Sequence, residues 1–464
     1  MLNLRRIVPA LALAGFVTSP TLAVTQFIGA AQIAGSTDPG IPSFVLENGV
    51  INNNTLNGFG SAIAYTGFGN RYVFLPDRGP NATAYAGGAA VDNTVSWSNR
   101  YNIFDLSFTP AGGGTFNVGN SFVGTALLKN EGQQLVGKSN AFIAGTPNNP
   151  VNNLRLDPEG IRVGFNGEVY ITDEYGPVVY RFNQNGDRTA AFNVPDYYTI
   201  ATPNSLAATE NSGGAASFAA DPRRVTNRGM ESLAISPDGT KLFGLMQNAL
   251  QQEGGTSAAG NRVRLLQWDT ANPAGAPVEY VYPLAGGTVI SEFVAINDHE
   301  FLVLERDQIG GAAAAFKKVF RIDLTGATPV TGVVDLDTVT PTPVQKSLFL
   351  DLITGAGIDA TSHAAFKTLL TNTTTFDLLP EKFEGITFGP NLPDGRQMML
   401  LTNDNDFLPG PNYVFAFALD ANDLTVQAQQ FAVGLTFNAP IPEPTTAVIG
   451  LAALGLLGRR RRTA

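Results

Sequence analysis

What most constrains this chain is a strand–turn–strand unit that recurs along it. The clearest copy begins Asp157-Pro158-Glu159-Gly160-Ile161-Arg162-Val163. It turns at Asn166-Gly167 and ends Val169-Tyr170-Ile171-Thr172-Asp173-Glu174. An Asn-Gly pair between two β-prone runs marks a hairpin. One carboxylate starts its first strand and two end its second. Antiparallel pairing therefore brings Glu159, Asp173 and Glu174 to the same end.

Four more segments follow the plan: Gly60–Tyr65 with Tyr72–Asn81, Gly229–Ile235 with Lys241–Gln247, Ser291–Ile296 with Phe301–Asp307, and Phe383–Phe388 with Met398–Asp406. Further strands fall between them, among them Val178–Phe182, Val263–Trp268 and Val319–Asp323. Multi-stranded units at intervals of roughly 60 to 100 residues read as blades of an all-β propeller. Five units are visible. The stretch between the first and second is long enough for another, or the chain ends could complete one, so six blades are expected. A small helical insertion is predicted over 344–370, where Leu348, Leu352, His363, Phe366 and Leu369 keep helical spacing.

Composition agrees with strands and turns. The 464 residues include 50 Gly and 29 Pro, and only 15% are charged. There is no cysteine, which excludes disulfides, thiolate nucleophiles and zinc–sulfur sites. The two histidines, His299 and His363, exclude a His-rich metal centre and read as structural residues. No Gly-x-Ser-x-Gly elbow supports a serine esterase. Gly132–Ser139 fits the phosphate-loop pattern, but no helix start follows it, so it reads as a turn connection.

The acids carry the functional signal. Glu159, Glu231, Glu292 and Glu384 start first strands, with Glu292 the weakest member because Phe293 follows it. Asp77, Glu174, Glu305 and Asp404 end second strands. In a propeller such positions form a ring at one mouth of the central channel. Carboxylates this close oppose one another's ionisation unless a cation neutralises them. Oxygen ligands without His or Cys favour calcium. The alternative is that they are turn and capping residues bonded to backbone. Asn403–Asp406 gathers oxygen ligands on one loop, a second candidate calcium position or a polar turn. Arg78, Arg228 and Arg306 stand beside acids. Each could clamp a phosphoryl oxygen or simply pair with its neighbour.

Both ends read as addresses. Residues 1–23 combine Arg5-Arg6, an apolar run and a small-residue end at Ala23, a secretory signal. Residues 441–464 carry Pro442-Glu443-Pro444, an apolar run from Thr445 to Gly458 and Arg459–Arg462. This resembles the PEP-CTERM sorting signal of Gram-negative bacteria. The resemblance implies transient inner-membrane association, removal by an exosortase, and delivery to the cell surface or extracellular matrix. The formal charge is −10. Removing both ends takes away six Arg and one Glu, leaving 23 Lys and Arg against 38 Asp and Glu, a charge of −15. Such a chain is a poor partner for nucleic acid. A monomer is expected, with 24–440 as its propeller domain.

Taken in order, Asp77-Arg78-Gly79-Pro80-Asn81, Asp157-Pro158-Glu159-Gly160-Ile161, Asp173-Glu174-Tyr175-Gly176-Pro177, Asn227-Arg228-Gly229-Met230-Glu231, Leu304-Glu305-Arg306-Asp307 and Phe383-Glu384-Gly385-Ile386 resemble the bacterial phytase-like family, described by an esterase-like activity of phytase. The resemblance spans roughly Gly58 to Phe417. It implies a propeller related in plan to calcium-dependent phytases, with Asp77, Arg78, Asp157, Glu159, Glu174, Arg228, Glu231, Glu305, Arg306, Glu384 and Asp404 on shared motif positions. The chain departs from the pattern at Ser232, where Gly is usual, and at Gln247, where an acid is usual.

The leading expectation is an exported, calcium-dependent phosphoesterase acting on a phosphorylated small molecule. Asp77, Asp157, Glu159, Glu174, Glu231, Glu305, Glu384 and Asp404 would hold the metal, and Arg78, Arg228 and Arg306 the phosphate. A non-catalytic calcium-binding propeller of the surface matrix and a lactonase-type hydrolase are the alternatives.

Overall fold

A computed structural model describes residues 24–81, 94–137, 154–198, 224–225, 227–254, 260–373, 376–420 and 424–438. Residues 1–23 and 441–464, expected to be targeting segments, and the end of the Gly132–Ser139 stretch lie outside these residues.

Five sheets of four antiparallel strands make five blades. Blade 1 runs from Ala62–Tyr65 through Arg71–Leu75 and Arg100–Gly112 to Thr115–Leu127. Blade 2 holds Pro158–Val163, Val169–Asp173, Val178–Phe182 and Arg188–Ala191. Blade 3 holds Met230–Ile235, Lys241–Met246, Arg262–Asp269 and Val278–Pro283. Blade 4 holds Val289–Ala295, Glu300–Arg306, Lys317–Asp323 and Gln345–Asp351. Blade 5 holds Lys382–Phe388, Gln397–Asp404 and Asn412–Leu419, and takes its outermost strand, Gln26–Ile33, from the chain's beginning. Hence 24–33 and 412–419 clasp each other across nearly the whole sequence.

The expected sixth blade does not form among the described residues. The innermost strands of blades 1 to 5 lie against one another in a closed circuit, with blade 5 against blade 1. The length before blade 2 goes into two 13-residue strands of blade 1, Arg100–Gly112 and Thr115–Leu127. The helical insertion is also shorter than expected. Gln345–Asp351 is the outer strand of blade 4 and pairs with Lys318–Asp323. Gly355 and Gly357, both at positive φ, break the chain there. The helix covers only Ala360–Leu369, capped by Asp359 Oδ1 accepting from Ser362 N at 2.8 Å. It sets Phe366 against Phe27, Phe415 and Phe417, sealing the outer edge of blade 5.

Alternating strands put apolar residues on both faces of each sheet, so the core lies between neighbouring blades. Val163, Ile171, Leu233 and Phe243 belong to one cluster, and Leu304, Phe383, Met399 and Phe415 to another. After blade 5 the chain crosses the mouth opposite the acidic ends. Gln427 N, Gln430 N and Ala432 N bond the carbonyls of Ile296, Pro237 and Phe165, on blades 4, 3 and 2 in turn, and Arg71 of blade 1 donates to the Phe437 carbonyl.

Candidate metal centre

The acids reach the mouth through a shared backbone device. In four blades the pairing of the two innermost strands slips by one residue, a β-bulge. The extra residue is Glu231 in blade 3, Ser291 in blade 4 and Glu384 in blade 5, and in blade 2 it falls at Glu159-Gly160. Bulging turns that side chain out of the ladder and toward the axis. The residue after it faces the neighbouring blade at close range. A Cβ on Gly385 would come within 3.1 Å of Ile63 in blade 1, and within 2.1 Å of Thr402 Oγ1 on its own paired strand, and one on Gly160 would come within 2.9 Å of Leu233 in blade 3. This accounts for the recurring Glu-Gly pair.

The same register sorts the expected site residues. Across from the residue before each bulge stand Asp173, Met246, Glu305 and Asn403. The next residue in each second strand points to the mouth: Glu174, Gln247, Arg306 and Asp404. Glu305 is therefore one position off and does not reach the acidic group. It is buried between blades 3 and 4, where it accepts from Tyr282 Oη and Lys346 Nζ. Glu292 is likewise one position past the bulge and turns down the channel.

At the mouth, Asp77, Asp157 and Glu159 each place one oxygen within 4.8 Å of the others, and Asp77, Asp404 and Asp406 do the same. All but Asp406 are buried. Arg78 secures Asp157 twice, through its backbone N at 3.0 Å and Nη1 at 3.3 Å. Arg306 donates to Glu384 and to Ser291 Oγ at 2.9 Å, so its charge is spent inside the protein. Arg228 differs from both. Its Nη1 and Nη2 meet the neutral amide oxygens of Gln247 and Gln308 at 3.0 and 2.9 Å. Lys382, not among the expected site residues, lies 2.5 Å from Asp406 Oδ1 and 3.7 Å from Asp404 Oδ2. Its position two residues before Glu384 on one strand was the available signal, since such residues share a face.

Crowding and burial resist the charge on these acids. Burial, then Glu231, Asp157, Glu174 and Asp77, hold the Glu159 carboxyl well above its ordinary range. Glu174 is pushed up by burial, Asp157 and Glu231, despite Arg78 and Arg224. Burial and Glu384 raise Glu231 to about 8, with Arg306 opposing. Burial raises Asp77 to about 7 although Arg78 offsets part of it. Glu174 Oε1 and Glu231 Oε2 are buried without a hydrogen-bond partner, in residues 1% and 2% exposed. Buried carboxylate oxygens left this way are costly. The donor set fits a hard divalent cation.

Below the acids the channel is shut. Arg162 donates from Nη1 to the Ile63 and Ile161 carbonyls and to Glu292 Oε2 at 3.3 Å, and from Nη2 to the carbonyls of Phe293 and Ile386. Glu292 Oε1 accepts from Leu233 N and Phe293 N. Together the pair bonds the innermost strands of all five blades. Beneath it, toward the crossing segment 426–429, lies a cavity of about 350 Å³ with Arg162 and Tyr65 in its lining. The acidic mouth is thus a closed-bottomed cup.

Residues 54–407 match the family model described as phytase-like, esterase-like activity of phytase. An uncharacterized secreted protein of the fungus Arthroderma benhamiae is 28% identical over 341 residues. The match covers 58% of this chain and 62% of that protein, so the chain spans about three-fifths of the relative's length. Among solved structures, a gluconolactonase of Xanthomonas campestris superposes with TM-score 0.30 at 11% identity, over 78% of this chain and 87% of its own. The calcium-binding protein regucalcin of Agrobacterium tumefaciens gives 0.33 at 10% identity, over 81% and 94%. Both scores are too low to carry fold or function across.

Proposed function

This chain belongs to the phytase-like family, and on that premise we propose that it is an exported phosphoesterase that works with a divalent cation, calcium by its donor chemistry. The observation that carries the reading is the imbalance at the mouth. Glu159, Glu174 and Glu231 are buried together with no side-chain cation bonded to them among the described contacts, while Arg228 keeps its charge for an anion.

Asp77, Asp157 and Glu159, with Glu174 and Glu231 beside them, would hold the cation. When bound, calcium supplies charge neutralisation and polarises a phosphoryl oxygen. Arg228 binds the phosphoryl group by charge and by its planar donors. Arg78 orients Asp157 rather than gripping substrate. Arg306 orients Glu384, a correction to the role expected for it. The Arg162–Glu292 pair closes the floor, so substrate and water enter from one side.

Purified mature protein should release phosphate from p-nitrophenyl phosphate in millimolar calcium and stop when calcium is chelated. Arg228→Gln should lose at least tenfold in kcat/KM. No turnover across a panel of phosphomonoesters would reject the activity. Calcium binding without turnover would support a non-catalytic surface propeller, a reading favoured by the way Arg78, Arg306 and Lys382 are already engaged by carboxylates. Hydrolysis of a sugar lactone alone would support the lactonase reading. Sorting by residues 441–464 is part of the same proposal. Mass analysis of protein recovered from the native cell surface should find the chain ending near residue 440.

A further inference from the structure

The mouth contains two groups of three carboxylates, Asp77–Asp157–Glu159 and Asp77–Asp404–Asp406, and Asp77 belongs to both. They differ in the charge supplied to them. Lys382 comes from the innermost strand of blade 5 on the face of Glu384. Its Nζ lies 2.5 Å from Asp406 Oδ1, 3.7 Å from Asp404 Oδ2 and 4.0 Å from Glu384 Oε1. It hydrogen-bonds Asp406 and meets Asp404, whose Oδ2 is buried without a hydrogen-bond partner, by charge alone. A lysine ammonium is a compact charge and takes the place of a small cation there.

The other group has no ammonium. Arg78 hydrogen-bonds Asp157 there, through Nη1 and the backbone, and reaches Asp77 only at 3.9 Å. Glu159 faces Glu231 and Glu174, whose Oε2 and Oε1 are buried without hydrogen-bond partners. Calcium takes six to eight oxygens, and this side offers five carboxylates with only Arg78 paired to Asp77 and Asp157 among the described residues. A second divalent ion bridged by Asp77 would instead have to displace the Lys382 ammonium from Asp404 and Asp406.

We propose that Lys382 is a built-in cation occupying the Asp77–Asp404–Asp406 position, so that the mouth takes one divalent ion, on the Asp77–Asp157–Glu159 side, and not two. The proposal rests on the cation-binding reading above and adds the stoichiometry and its cause. It also gives Asp404 and Asp406 a role without an outside ion: they hold the ammonium beside the single bound cation, where it adds fixed positive charge facing an incoming anion.

The test is calcium stoichiometry by isothermal titration on the full mature chain, with circular dichroism to confirm folding. Wild type should bind one calcium per chain. Lys382→Gln, which removes the charge, should bind two. Lys382→Arg, which keeps it, should bind one. Adding Asp406→Asn to Lys382→Gln should return the count to one. Two ions on wild type, or one on folded Lys382→Gln, overturns the proposal. The wild-type count decides alone if Lys382→Gln does not fold. No calcium on wild type overturns the cation-binding reading itself, a failure distinct from a wrong count.

Discussion

Arg162 and Glu292 meet across the propeller axis, Nη1 to Oε2 at 3.3 Å, and between them bond the innermost strand of every blade. An ion pair this buried contributes little over a well-packed apolar pair, but removing one partner strands the other. Glu292→Gln also turns an amide N–H toward the guanidinium. It should cost about 3–5 kcal/mol, read as a lower urea midpoint at unchanged m-value. Arg162→Met with Glu292→Leu should recover most of that loss. A Glu292→Gln midpoint equal to wild type would show that the plug does not tie the blades together.

Glu305 gives a test of the register argument. It sits one residue before the mouth-facing Arg306 and binds Tyr282 and Lys346 instead. Glu305→Gln should lower stability by about 1–3 kcal/mol through its weakened buried bonds. Calcium affinity should stay within twofold of wild type by titration. A tenfold loss of affinity would place Glu305 in the metal centre after all.

These two residues show where the sequence was legible. Glu159, Glu231 and Glu384 were found because each stands where a strand begins, a signal within a few residues of chain. Whether an acid faces the mouth or the next blade depends on a one-residue slip in pairing. Glu292 and Glu305 look alike to their neighbours in sequence but lie on the wrong side of that slip, while Ser291 and Arg306 hold the mouth positions of blade 4. Blade number was hidden for a related reason. The strand that completes blade 5 is Gln26–Ile33, nearly 400 residues from its partner Asn412–Leu419, and local pattern carries no trace of such a pairing. Lys382 carries no local mark in the sequence beyond its spacing from Glu384, which puts the two on one face.

Glu159 should matter most for calcium-dependent stability. At free calcium a hundred times the dissociation constant, binding to the folded state alone adds about 2.7 kcal/mol. Wild type should therefore melt several degrees higher in calcium than in chelator. Glu159→Gln removes a ligand and should lose most of that rise. It also removes one of the crowded carboxylates, so in chelator it should melt above wild type. An equal rise with calcium in both proteins would remove Glu159 from the ligand set.

The pH response of the metal-free protein follows from the same crowding. Burial first, and neighbouring acids at the mouth, raise Asp77 and Asp173 to about 7 and Glu231 to about 8. In the unfolded chain such groups titrate near 4. Between roughly pH 4 and pH 8 the folded protein thus holds protons that the unfolded chain has released. Stability is then highest below the unfolded values and falls as pH rises through the folded ones. The slope is at most about 1.4 kcal/mol per pH unit for each group. The metal-free melting temperature should accordingly drop steadily from pH 5 to pH 8. Calcium needs the carboxylates ionised, so its binding releases protons and tightens with pH. In millimolar calcium the decline should flatten or reverse. Melting curves at pH 5, 6, 7 and 8 with and without calcium decide the matter. A metal-free curve that rises with pH would mean that these acids are ionised and compensated within the fold, and that the mouth has no need of a cation.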